Sequence, residues 1–200
     1  GVPIAVQCPA KDGFRLTVEG LRGAITDKTR WVLLNLPSNP AGAVYSDEDL
    51  ASLGAVLADC PRVLTLSDEI YEHILFDGRQ FKSFAAACPH LKDRILTVNG
   101  VSKAYAMTGW RIGYGGGHPD LIAAMAKVQS QISSGACTIA QAAAAAALEG
   151  PQDEVRRFCE AFEARRDLVV AKVAGIDGLT LEPPGGAFYA FIGCEALIGA

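Results

Sequence analysis

Short apolar runs alternate along the chain with longer amphipathic segments, a pattern that is typical of parallel β-strands joined by α-helices. Three runs predict buried strands, at residues 31–36, 62–67 and 94–98. Four longer segments predict helices, at residues 47–59, 119–133, 139–149 and 153–174. The first helix has a capping oxygen from Ser46 and three acidic residues in its first turn, both of which favour a helix start. The last helix is rich in Arg and Glu and is predicted to be long and exposed, with its charges in solvent.

Polar residues follow each of the three predicted strands. Asn39 lies just beyond the first strand, Asp68 just beyond the second, and Lys103 a few residues beyond the third. In open α/β sheets, ligands bind at the carboxyl ends of the strands. These three side chains are therefore expected to share one site.

The composition of the chain argues against several kinds of binding partner. The chain has 200 residues, half of them hydrophobic, which is enough to bury a substantial core. Its net charge is −4 and its basic residues are scattered, so nucleic-acid and membrane partners are not expected. No apolar run approaches the roughly 18 residues of a membrane span, and the first residues lack the features of a signal peptide. A cytoplasmic location is the resulting expectation, and the six dispersed cysteines are predicted to be reduced thiols.

Lys103 carries the strongest chemical signal. It is a single lysine among small and apolar residues, and Arg111 follows eight positions later. A lysine amine forms a Schiff base with a carbonyl compound, and the planar guanidinium of an arginine holds a phosphate through paired hydrogen bonds. The two groups together suit pyridoxal phosphate.

Three ordered motifs resemble those of the class I/II, fold-type I aminotransferases that depend on pyridoxal phosphate. They are Asn-Leu-Pro-Ser-Asn-Pro-Ala-Gly at 35–42, Ser-Asp-Glu-Ile-Tyr at 67–71, and Gly-Val-Ser-Lys at 100–103 with Arg111 beyond it. The first has alanine where the family usually has threonine, and one branch of the family has serine where this chain has Gly100. The residues between the motifs resemble most the bacterial aspartate aminotransferase branch, which includes aspartate/prephenate aminotransferases.

The resemblance implies a role for each candidate residue. Lys103 would hold the cofactor and move a proton during the reaction, and Asp68 would face the nitrogen of the pyridine ring. Tyr71 and Asn39 would both donate to the phenolic oxygen of the cofactor, and Asn39 would also line the substrate position. Arg111 would pair with the phosphate. The substrates implied are an amino acid, aspartate or glutamate, and a 2-oxo acid, in a homodimeric enzyme.

The resemblance also implies a fold and a domain organisation. The expected fold is a three-layer α/β/α arrangement around a mostly parallel sheet, followed by the start of a small C-terminal α/β domain. Residues 1–150 would form part of the large cofactor-binding domain, residues 151–175 a connecting helix, and residues 176–200 the start of the small domain. Family members are about twice as long as this chain, so the chain is expected to be a fragment.

Several alternatives remain open at this stage. The same motifs occur in aminotransferases for aromatic or kynurenine-type substrates and in β-lyases, and the chain could also be a non-catalytic regulatory module or an inert fragment. Glu69, Glu72 and His73 lie close together but not in the order His-Glu-x-x-His, so no metal site is predicted. The glycines at 115–117 lack the spacing of a dinucleotide-binding loop and are predicted to form a mobile loop.

Overall fold

The computed structural model describes residues 1–199, and its centre is a four-stranded sheet with the strand order β1-β2-β3-β4. The first three strands are parallel to one another, and the fourth is antiparallel to the third. The strands are β1 Trp31–Asn35, β2 Leu64–Asp68, β3 Ile95–Gly100 and β4 Gly113–Gly116. The three strands predicted from apolar runs are all present, with ends that differ by one or two residues.

Six α-helices accompany the sheet within the described residues. They are α1 Val18–Ala24, α2 Asp47–Ala58, α3 Phe84–Ala87, α4 Pro119–Ile132, α5 Thr138–Glu149 and α6 Asp153–Val173. Helix α2 begins with the cap that the sequence predicts: Ser46 Oγ accepts from the amide of Asp49 at 3.1 Å, and Asp49 Oδ2 accepts from the amide of Ser46 at 2.9 Å. This reciprocal pair satisfies two amides at the helix start. No helix of residues 1–199 is both long enough and apolar enough to cross a membrane.

Strand β4 is a correction to the sequence analysis, which predicted a mobile loop at residues 115–117. Gly113–Gly116 instead forms a strand that pairs with β3, with Gly113 opposite Gly100 and Gly116 opposite Thr97. A strand of this composition has no alternation of apolar and polar residues. Gly113–Gly116 is a strand because its backbone is hydrogen-bonded to β3, so no pattern in its own sequence predicts it.

The buried side chains form three clusters. The largest lies around α2 and includes Leu50, Leu53 and Leu57. A second cluster joins Tyr71, Ile74, Phe76 and Ala187 to side chains of α6 and of the segment that follows it, and a third packs Val101 and Ile112 against α5. The second and third clusters lie directly beside the carboxyl ends of β2 and β3. They therefore fix the segments that carry the candidate site residues.

The segment predicted as a connecting helix, residues 151–175, contains α6, Asp153–Val173. Ala200, the last residue of the predicted small-domain segment, lies outside the described residues. The segment after α6 makes isolated bridges between Leu75 and Gly186 and between Thr180 and Gly193. The first of these bridges brings the C-terminal segment against the chain that follows β2.

Candidate active site

The three strand ends that carry candidate residues lie side by side in the sheet. Asn35, the last residue of β1, is in register with Asp68, and Asp68 is in register with Val98 of β3. Asp68 is itself the last residue of β2 rather than the first residue after it. The parallel order of the strands thus brings their carboxyl ends to one edge of the sheet.

Lys103 lies beside two aromatic rings at this edge. Its Nζ is 6.0 Å from the centroid of the Tyr71 ring and 5.9 Å from the centroid of the Phe188 ring. Tyr71 is almost fully buried, with 2% of its surface exposed, whereas Lys103 is partly exposed. The amine therefore faces an aromatic wall on one side and remains accessible to a ligand.

The surroundings of Tyr71 change the pKa of its hydroxyl. Burial raises this pKa well above its usual range, and the hydroxyl of Tyr189 and the negative charge of Asp68 raise it further. The amide of Asn39 acts in the opposite direction and lowers the pKa of Tyr71. Asn39 and Asp68 thus both influence the phenol of Tyr71, and the Lys103 amine lies beside its ring.

The side chain of Asn35 connects two of these residues. Its Oδ1 accepts from the backbone amide of Asn39 at 2.6 Å, and its Nδ2 donates to the carbonyl oxygen of Asp68 at 3.3 Å. Asn35 was not among the predicted site residues, although it opens the same motif as Asn39. Its amide orients the turn after β1 relative to the end of β2.

Arg111 is placed differently from the other four candidates. It is exposed, has a left-handed backbone with φ of 54°, and follows a short 3₁₀ turn at Thr108–Trp110. Within the described part of the chain its guanidinium donates to the carbonyl of Thr108 at 2.8 Å, not to any of the other candidates. Its donors are therefore oriented by its own loop, between Lys103 and β4.

The structure explains why residue 100 is glycine in this chain and not the serine of one family branch. A Cβ atom at this position would lie 2.9 Å from the carbonyl oxygen of Ile112 and 3.2 Å from the Cα atom of Gly113. Any larger residue would push β4 away from β3. Ser102, the other hydroxyl near Lys103, is 9% exposed and belongs to the buried base of this loop.

Two aromatic residues from the C-terminal segment complete the site. The hydroxyls of Tyr71 and Tyr189 are 2.7 Å apart, and the Phe188 ring meets the Tyr71 ring edge to face with centroids 5.4 Å apart. Neither residue was among the predicted site residues. Because Tyr189 is 118 positions from Tyr71 in the chain, with Phe188 directly before it, only the folded structure brings these residues to Tyr71.

Backbone hydrogen bonds hold this aromatic segment against the turn after β1. The amides of Gly185 and Gly186 both donate to the carbonyl of Gly42, at 3.0 and 3.1 Å, and the amide of Ala187 donates to the carbonyl of Ile74 at 2.9 Å. The positions of Phe188 and Tyr189 are thus set by the backbone on both sides of the site.

The fold is that of a known class of protein. The sequence model for "Aminotransferase class I and II" matches residues 1–198, and the chain belongs to that family. Both the resemblance found in the sequence and the α/β fold that it implies are confirmed.

Individual relatives agree with this assignment. The chain is 56% identical over 199 residues to an aspartate aminotransferase of Rhizobium meliloti (strain 1021), covering 100% of the chain and 48% of that protein. It is 47% identical to a probable aspartate/prephenate aminotransferase of Rickettsia felis, covering 100% of the chain and 49% of that protein. The crystal structure of the Rhizobium meliloti aspartate aminotransferase superimposes with a TM-score of 0.96 at 56% identity, covering 98% of the chain and 49% of the other. The chain therefore spans about half the length of the relatives it matches.

Proposed function

We propose that the full-length protein containing this chain is a pyridoxal-phosphate-dependent aminotransferase. It would transfer an amino group between an amino acid, aspartate or glutamate, and a 2-oxo acid. The observation that carries the proposal is the position of the Lys103 amine, about 6 Å from the rings of Tyr71 and Phe188, at the strand edge that also carries Asp68 and Asn39. The names of the relatives, aspartate and aspartate/prephenate aminotransferase, support the substrate class.

The chemistry of the side chains present fits pyridoxal phosphate. A primary amine matches its aldehyde, a carboxylate matches its ring nitrogen, and a phenol and an amide match its phenolic oxygen. When bound, this cofactor supplies a carbonyl group and a ring that withdraws electrons from the substrate. The aromatic wall formed by Tyr71 and Phe188 excludes water from one side of the amine.

The residues would divide the work as follows. Lys103 Nζ would hold the cofactor at its aldehyde group and would take the proton from the substrate α-carbon. The Asp68 carboxylate, one oxygen of which accepts from the amide of Ile70 at 3.3 Å, keeps the ring nitrogen protonated. Tyr71 and Asn39 donate to the phenolic oxygen, and Asn39 also lies next to the substrate.

Arg111 would bind the phosphate through its guanidinium. The exposed position of this side chain leaves its remaining donors available, and its anchor on the Thr108 carbonyl limits where the guanidinium can point. A planar guanidinium suits a phosphate better than an ammonium because it donates two parallel hydrogen bonds.

The proposal extends to the organisation of the protein. Residues 1–150 would belong to the large domain, 151–175 to the connecting helix and 176–200 to the start of the small domain, in a homodimer located in the cytoplasm. The apolar side chains that α4 exposes, Val128 at 58% and Ile132 at 80%, support an interface because such a face is unfavourable in water. Sedimentation equilibrium of the full-length protein tests the dimer, and a monomer across the concentration range would contradict it.

Chemical trapping tests the role of Lys103. The full-length protein is mixed with pyridoxal phosphate and reduced with borohydride, and the modified peptide is identified by mass. We expect the label on Lys103 and its loss in Lys103→Arg, a variant that keeps the positive charge but cannot form the Schiff base. The six other lysines of the chain serve as internal controls, and labelling spread among them would contradict the proposed site; they are Lys11, Lys28, Lys82, Lys92, Lys127 and Lys172.

Steady-state assays with aspartate, prephenate and cystathionine then distinguish the reactions. Among the three substrates, we expect aspartate to have the highest kcat/KM, in a reaction that transfers its amino group to a 2-oxo acid. Cleavage of cystathionine without transfer would identify a β-lyase instead.

A further inference from the structure

The hydroxyl of Tyr71 is hydrogen-bonded to a second tyrosine that has no assigned role. The two oxygen atoms are 2.7 Å apart, and either can be the donor. Tyr189 is partly exposed, whereas Tyr71 is buried. We propose that Tyr189 is a positioning residue of the Lys103 site, whose hydroxyl donates to Tyr71 and so directs the proton of Tyr71 towards the bound ligand.

Without a ligand, the contact with Tyr189 raises the pKa of Tyr71, as expected when Tyr71 is the donor of the pair. With an anionic oxygen bound at the site, the proton count of the pair favours the opposite direction. A phenol carries one proton and two acceptor lone pairs. If Tyr71 donated to Tyr189, its only proton would be used within the pair. If Tyr189 donates, Tyr71 keeps its proton for an anionic oxygen at the site, which is the role that the proposed function requires of Tyr71. Consecutive hydrogen bonds of this kind polarise and strengthen one another.

The surrounding structure limits the geometry of the pair. The two tyrosine rings meet at 81° with centroids 5.9 Å apart, and Phe188 packs against both rings. Since the backbone just before Phe188 is bound to Gly42 and Ile74, the Tyr189 hydroxyl is held over Tyr71 by the fold. The arrangement connects the ligand-facing phenol to the segment that follows α6.

The inference rests on the proposed function, so its test uses a property of the bound cofactor other than turnover. The visible absorbance of pyridoxal phosphate bound to a lysine changes with pH, and a donor to the phenolic oxygen lowers the midpoint of that change. We expect Tyr189→Phe in the full-length protein to raise the midpoint by roughly half to one pH unit, the equivalent of one neutral hydrogen bond. This variant keeps the aromatic ring, so the packing against Phe188 is retained.

A double-mutant cycle separates positioning from packing. Tyr71→Phe should raise the midpoint at least as much as Tyr189→Phe, and adding Tyr189→Phe to it should cause no further change, because Tyr189 acts through Tyr71. Tyr45→Phe is the matched control. It removes another tyrosine hydroxyl, which accepts from the amide of Leu16 at 2.7 Å in a different cluster, and it should leave the midpoint unchanged.

The outcomes distinguish this inference from the proposed function. An unchanged midpoint in Tyr189→Phe, or a shift that persists in the Tyr71→Phe background, would overturn the role of Tyr189 while Lys103 labelling still supported the enzyme. If borohydride did not label Lys103 in the unmodified protein, the proposed function and this inference would both be overturned.

Discussion

Gly42 shows how a single residue sets the shape of the site. Its backbone is left-handed, with φ of +66°, and its carbonyl accepts the amides of Gly185 and Gly186. A Cβ atom here would lie 2.4 Å from the Cβ of Pro184 and 2.6 Å from the carbonyl oxygen of Gly186. Only glycine permits both the backbone angle and the contact, so this residue links the Asn39 turn to the aromatic segment.

Gly42→Ala should therefore lower the free energy of unfolding by more than the strain of a left-handed backbone alone would. Gly78 is a matched control because its φ is +67° but nothing lies within 4 Å of its Cβ position. We expect Gly78→Ala to lower the free energy of unfolding by about 1–2 kcal/mol through backbone strain. Gly42→Ala should lower it by roughly 1–3 kcal/mol more because of the steric conflict. Urea denaturation of both variants measures the difference, and equal values would contradict the contact.

At the scale of elements, α6 is more than the exposed charged helix that its sequence predicts. Most of its charges do lie in solvent, but only 8% of the Arg166 side chain is exposed. The Arg166 guanidinium makes two hydrogen bonds to Asp77, at 2.6 and 3.0 Å, and a third to the carbonyl of Pro184 at 3.0 Å. It also lies over the ring of Phe76, 5.0 Å from its centroid. One side chain thus attaches α6 both to the chain after β2 and to the segment leading to Tyr189.

Replacing Arg166 should weaken this attachment. We expect Arg166→Met to lower the free energy of unfolding by about 1–2 kcal/mol, a modest value because Asp77 is half exposed and solvent screens the pair. Arg157→Met is the control on the same helix. Its ion pair with Glu154 is exposed on both sides, so its loss should change stability by less than about 0.5 kcal/mol. Thermal and urea unfolding compare the two, and an equal loss would contradict a special role for Arg166.

The ion pair between Arg166 and Asp77 also makes the free energy of unfolding depend on pH. Its hydrogen bond holds the pKa of Asp77 below the ordinary value of 3.8, so the folded state binds this proton less readily than the unfolded chain does. The contribution is complete above about pH 3.8 and is lost as the pH falls through the folded-state pKa. In Arg166→Met this acid-dependent part of the stability should be smaller.

At the scale of the whole molecule, one buried carboxyl group influences stability across the acid range. Glu69 is 2% exposed, and its Oε1 accepts from Ser67 Oγ at 2.8 Å, Ser83 Oγ at 3.0 Å and the amide of Phe84 at 2.9 Å. These bonds join the end of β2 to the start of α3. Burial raises the pKa of Glu69 above 4.5, although the three donors act in the opposite direction.

The sign of this shift gives a testable trend. Between pH 4.5 and the raised folded-state pKa, the folded protein binds more protons than the unfolded chain, so Glu69 makes stability fall as the pH rises. Glu69→Gln has no such proton to lose. We therefore expect the unfolding free energy of the unmodified protein, relative to Glu69→Gln, to decrease as the pH increases from 4.5. Glu48→Gln, which removes an exposed carboxylate, controls for the loss of one surface charge. A constant or increasing difference would contradict the raised pKa.

The contrast between β3 and β4 shows which parts of the fold the sequence could predict. Strand β3 is an apolar run between polar segments, so its local pattern identifies it. Strand β4 consists of three glycines and a tyrosine and is a strand only because β3 is beside it. The cap of α2 was predicted correctly because Ser46 and Asp49 are neighbours in the sequence.

The candidate site likewise combines residues predicted from local motifs with residues that only long-range contacts bring in. Asn39, Asp68, Tyr71, Lys103 and Arg111 were selected from ordered motifs, and their roles stay predictions until trapping and mutagenesis test them. In the structure, Asn39, Asp68 and Lys103 are neighbours of the phenol of Tyr71, and Arg111 lies on its own loop. Asn35 and Tyr189 were not selected, because what distinguishes them is a hydrogen bond to a distant residue.

By itself, the sequence determined the family, the alternation of strands and helices, and the edge of the sheet where the candidate site residues were predicted. These properties follow from local periodicity and from residue types at short spacings. Only the tertiary structure decided that Tyr189 meets Tyr71, that Gly42 must be glycine, and that little of the Arg166 side chain is exposed. Each of these depends on contacts between segments far apart in the chain, whose free energy is realised only when the chain is folded.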